Sequence, residues 1–156
     1  MYNQFAQYAH VIPVLSPVDI VSTATNSTHI KVTGHRVNFL VFLGTLTGDS
    51  CSVTVEESTA ASTTGAEAIP FRYRLSGAVG SDTWGAVTTA DSTGVDFTAS
   101  DDDKIMWVEV DPSDMSSDTK YLSVLLGPGA SASACEVSVA AIIDSWYQQL
   151  DMVSST

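Results

Sequence analysis

The sequence predicts an all-β chain: a single antiparallel β-sandwich, jelly-roll-like, with an extended N-terminal arm. Short runs rich in β-branched and aromatic residues recur between clusters of Gly, Ser, Thr and Asp, which is the punctuation of a sandwich or barrel. No long helical period competes with these runs. The length, 156 residues, fits one domain that buries roughly 70% of its unfolded surface and needs no metal or disulfide to fold.

Residues 1–27 are expected to form the arm. Pro13 and Pro17 interrupt an apolar stretch of Val11, Ile12, Val14, Leu15, Val18 and Ile20, and proline keeps such a stretch from being helical or central in a sheet. Left exposed, these six side chains would form an adhesive patch, so they are the candidate partner-binding residues. The competing reading is an edge strand of the same domain. The sandwich is expected over 28–147, with a C-terminal tail at 148–156. The β-rich runs lie around residues 18–21, 30–32, 37–43, 51–57, 69–75, 83–88, 95–98, 105–110, 121–126 and 135–143. The stretches TAASTTGAEAIP and TTADSTG between them read as surface loops.

Alternation assigns the faces of several strands. Cys51, Val53 and Val55 point one way, and Cys135, Val137 and Val139 repeat the arrangement, so both cysteines are expected in the core. Two cysteines alone do not make a disulfide framework, and in a reducing compartment they are expected to stay free. Phe39 to Leu43 does not alternate, which predicts a central strand covered on both faces; Tyr121 to Leu126 is similarly apolar. Ile105 and Trp107 share a face, which the sequence assigns to the core.

Charge narrows the function classes. Eighteen acidic and six basic residues give a net charge of −12 with 44% apolar residues, the profile of a folded domain with an acidic surface. Nucleic acid is excluded as a partner because phosphate contacts need clustered Lys and Arg, whereas the six here are scattered. Only Arg72 and Arg74 sit close together, on one strand face, where they would pair with acidic neighbours. There is no positively charged leader and no stretch near 18 apolar residues, so the chain is expected to be soluble, unprocessed and away from membranes.

The candidate chemistry is thin. Gly48-Asp49-Ser50 matches the nucleophile turn of GDS hydrolases, but such an enzyme needs a histidine late in the chain and His10, His29 and His35 all lie upstream. The segment reads instead as a hairpin turn. The histidine spacing fits no metal site and no Cys-x-x-Cys supplies further ligands. Asp101, Asp102 and Asp103 are adjacent, whereas calcium loops place ligands at alternate positions around a glycine. In Asp111-Pro112-Ser113-Asp114, an N-cap followed by proline predicts one helical turn leaving the strand at 105–110. No catalytic, cofactor or metal residues are assigned, and the chain is expected not to be an enzyme.

The order of residues 39–88 (FLVFLGTLTGDSC through FRYRL to DTWGAVT), 101–126 (DDDKIMWVEVDPSDMSSDTKYLSVLL) and 134–142 (ACEVSVAAI) resembles a family of small structural proteins of tailed bacteriophages. The resemblance covers about residues 36–143. It implies a virion protein, assembled in the host cytoplasm, that decorates or cements the head exterior. Its implied partner is the major capsid protein, with many copies or a homo-oligomer on the particle. The alternatives are another virion role, such as a head-fibre base, head–tail joining or tail protein, and a carbohydrate-binding module. The last would present coplanar exposed rings of Trp84 and Trp107; a core Trp107 would count against it.

Overall fold

The computed structural model describes residues 9–32, 36–48 and 51–144. They form two antiparallel sheets enclosing one core. The first sheet runs, in spatial order, β1 (Ala9–Asp19), β12 (Ala134–Asp144), β4 (Val37–Thr47), β10 (Ile105–Val110), β7 (Phe71–Leu75) and β8 (Thr88–Ala90). The second runs β2 (Thr25–Asn26), β11 (Tyr121–Pro128), β5 (Cys51–Ser58) and β6 (Glu67–Ile69). In it β3 (Ile30–Lys31) also pairs with β11, and β9 (Val95–Phe97) with β5. The chain crosses from sheet to sheet at most connections, so β1 comes to lie beside β12. That is the strand order of a jelly roll.

Alternating side chains build the core. Phe39, Val41 and Val108 from the first sheet and Val55, Leu122 and Val124 from the second are all fully buried, each worth about 1.5–3 kcal/mol relative to exposure. Cys51 on β5 and Cys135 on β12 are buried and free, as their parity predicts. The two thiols are neighbours across the sandwich, and the Cys51 Sγ–H donates to the Ser52 carbonyl at 3.8 Å.

Two corners explain where the predicted runs break. The run at 69–75 splits at Pro70: β6 pairs with β5 in one sheet and β7 with β10 in the other. Proline has no N–H to give a ladder, and the chain changes sheets there. The link after β4 is a second corner and not the expected hairpin turn, because β4 and β5 belong to different sheets. Gly48 begins it at φ +93°, where a Cβ would come within 2.3 Å of the Ser131 carbonyl oxygen, so only glycine fits. Asp49, Ser50 and His35 lie outside the described residues, as does the tail expected at 148–156.

The described part of the N-terminal segment is the edge-strand alternative. β1 pairs with β12 from Ala9↔Asp144 to Asp19↔Glu136, with register shifts between Pro13 and Leu15 and between Leu15 and Val18. Val14 and Ile20 are core residues. The Val14 carbonyl accepts a hydrogen bond from the Thr28 N–H at 2.8 Å, which ties β1 to the β2–β3 connection in the other sheet.

Candidate functional site

Of the six apolar side chains expected to meet a partner, the fold buries Val14 and Ile20 and half-buries Ile12 and Leu15 against the core. Val14 and Ile20 are therefore core residues of the folded chain. Val11 (55% exposed) and Val18 (37% exposed) remain accessible, on different surfaces. Val18 lines a shallow groove of about 490 Å³ between β1 and the second sheet. Pro13, Leu15 and Pro17 also form its β1 side, and Asn26 and Thr28 its far side. The Asn26 Oδ1 is buried with no hydrogen-bond partner. The groove is thus walled by apolar and proline side chains of β1 on one side and by polar residues on the other.

The outer edge of β1 cannot recruit a strand. Pro13 and Pro17 lack N–H donors, and both register shifts distort the ladder, which are standard protections of a sheet edge. The exposed edge strand at the opposite side of the same sheet, β8, has only three residues.

Val11 belongs to the outer face of the first sheet, where the sequence assignment of Trp107 is overturned. Met106, Val108 and Val110 of β10 point into the core, while Ile105 and Trp107 share the outer face and are half-buried. Both faces of β10 carry apolar residues, so alternation locates two faces without saying which is inside. Similarly, β4 is central but covered on one face only: Leu40 and Phe42 point outward, with Phe42 38% exposed. Trp84 lies at the β7 side of this face, bridged to Ser76, with its ring 5.8 Å from that of Trp107 at an interplanar angle of 83°. The Trp107 Nε1–H donates to Asn38 Oδ1 at 3.2 Å.

The acidic stretch is structural. Asp101 closes a 3-10 turn over Ala99–Asp101 as part of a capping box with Thr98, and it pairs with Lys104 at 2.9 Å. Asp102 Oδ1 accepts the Leu46 N–H at 2.9 Å, and Asp103 takes the left-handed conformation that turns the chain into β10. The Asp101 and Asp102 carboxylates thus serve separate bonds, while Asp103 contributes its backbone conformation. Asp111 caps the expected turn at Pro112–Asp114, and its bonds from the Ser113 N–H and hydroxyl hold its carboxyl below the ordinary range. A carboxylate the sequence did not single out, Glu57, is buried and accepts from the Ser116 N–H, the Ser116 hydroxyl and the Thr119 hydroxyl, which anchors the loop before β11.

On the second sheet, Ser123 and Glu56 are register partners, and His29 lies in the neighbouring β2–β3 connection. Ser123 Oγ, Glu56 Oε2 and His29 Nε2 are all buried with no hydrogen-bond partner. A nucleophile and base joined by a hydrogen bond are therefore not formed by this row. His10 stands on β1 in the other sheet, so the described histidines are not brought together.

No protein-family model matches the chain, and no curated protein does. Among solved structures, a chain in the structure of infectious bursal disease virus Gt strain is similar over 92% of this chain and 46% of its own length. The identity is 9% and the TM-score 0.26. This chain thus spans about half the length of that neighbour, and a likeness of that size carries no argument about function. The jelly-roll assignment rests on the strand order alone.

Proposed function

We propose that the chain is a virion structural protein of a tailed bacteriophage, a capsid decoration or cement protein that binds the major capsid protein on the head exterior. The reading begins from the sequence resemblance over residues 36–143. The observation that carries it is the groove beside β1, an apolar, proline-flanked cleft on an otherwise acidic jelly roll. Such a cleft suits an extended segment of a shell protein, which would fill the apolar side and lie against Thr25, Asn26 and Thr28 on the other. The T-shaped arrangement of Trp84 and Trp107 speaks against the carbohydrate alternative, because a sugar ring needs a flat stacking platform.

The test uses particles lacking the native protein. Val18→Asp places a charge in the groove at a partly exposed position, so folding is retained while particle binding falls at least tenfold. Binding equal to that of the unmodified chain would refute attachment through the groove.

A further inference from the structure

The outer face of the first sheet holds a second apolar surface, which meets the groove at Pro13 on its β1 side. Strand register sets its rows. One runs Pro13–Ala140–Leu40–Trp107–Arg74 across β1, β12, β4, β10 and β7. A second places Ser138, Phe42 and Ile105 side by side and reaches Trp84 through Ser76. A third begins with Val11 and Ile142 and continues through Asn38 and Glu109 to Arg72. Leu40, Phe42, Ile105 and Trp107 form a contiguous apolar centre in the middle of the sheet.

We propose that this face joins two copies of the chain, sheet against sheet. The first reason is charge. A protein with a net charge of −12 repels its own copies over most of its surface. Yet the charged side chains on these three rows are two cations, Arg72 and Arg74, against one acid, Glu109, and Glu109 is paired with Arg74 at 3.8 Å. On β12, Glu136 lies beyond them beside Gly44, and Asp144 ends the strand opposite Ala9. A second copy meets little net acidic repulsion over these rows.

The second reason is size. Five strands about 4.8 Å apart, crossed by three rows of side chains, span on the order of 400–500 Å². A standard interface buries about 800 Å² per partner, of which about 57% is non-polar. The footprint of these rows is therefore about half of one such interface, with Leu40, Phe42, Ile105 and Trp107 as its apolar centre. Trp107 is also held in one orientation by its bond to Asn38, and fixed aromatic side chains at the centre of a patch are typical binding anchors. The protected sheet edges leave face-to-face packing as the route of association.

The inference is independent of what particle the protein attaches to. Its test is the mass of the full chain by analytical ultracentrifugation over about 1–100 μM, alongside Phe42→Lys, Ile105→Lys and Arg72→Glu, with circular dichroism to confirm folding. The unmodified chain should dimerise in this range. Each Lys variant should raise the dimer dissociation constant at least tenfold, and Arg72→Glu, an exposed change that leaves the core untouched, should raise it severalfold. Val18→Asp should dimerise normally, which separates this surface from the groove. A chain that stays monomeric at 100 μM would overturn the proposal, as would folded variants that associate like the unmodified chain. Particle binding lost in Phe42→Lys from a monomeric chain would also overturn it and assign the face to the capsid.

Discussion

Cys51 and Cys135 show how far one residue's chemistry follows from its position. Burial, then the neighbouring Cys135 thiol and nearby charge, push the Cys51 thiol above its ordinary range, and burial raises Cys135 as well. Both are therefore protonated and shielded at neutral pH. The folded protein should react slowly with a thiol reagent, and the denatured, unreduced protein should yield two free groups; finding none would show a disulfide. Groups whose folded pKa is raised contribute stability that is complete below the unfolded value and lost as pH rises beyond it. Unfolding midpoints should accordingly fall above about pH 8.5, and replacing both cysteines with alanine should flatten that fall. The sign is opposite for Asp111, whose lowered pKa gives a contribution present above the ordinary carboxylate range and lost in acid. The core position of both cysteines was legible from alternation. The placement of Trp107 was not, because Ile105 and Trp107 on one face and Met106 and Val108 on the other are equally apolar, and parity alone has no sign.

Among the elements, β1 is the one whose role the sequence left open. Pro13 and Pro17 exclude a helix and a central strand, but a free arm and an edge strand obey the same rule. What separates them is long-range: Val14 and Ile20 enter a core shared by both sheets, and β12, more than a hundred residues away, supplies the pairing. Residues 105–110, by contrast, were placed to the residue, since a polar turn bounds each end of β10. Deleting residues 1–22 removes the core contacts of β1 and bares the long strand β12 as a new edge. Two fully buried aliphatic side chains account for about 3–6 kcal/mol, a large part of the stability of a domain this size. The truncated chain should not fold cooperatively in a urea titration. A truncated chain that unfolds with the full-length midpoint would return the segment to the status of an arm.

For the whole molecule, the jelly-roll order separates two surfaces. The groove beside β1 opens at one side of the sandwich, and the apolar rows cover the outer face of the first sheet. Neither was legible before the fold was known. The groove requires β1 and the β2–β3 connection to meet across the two sheets, and the face requires knowing which side of β4 and β10 looks outward. The all-β class and the strand inventory were legible, since they depend on local composition and turns. With one surface for the shell and one for a second copy, the protein would sit on a capsid as paired sandwiches, each bound at its β1 edge. The direct measurement of the proposed role is electron cryomicroscopy of tailed-phage particles assembled with and without this protein. The expected result is added density on the outer surface of the head that fits the sandwich, with the β1 groove facing the shell and the first sheets of two copies in contact. Density confined to the tail, or particles with no density that fits the sandwich, would contradict the account.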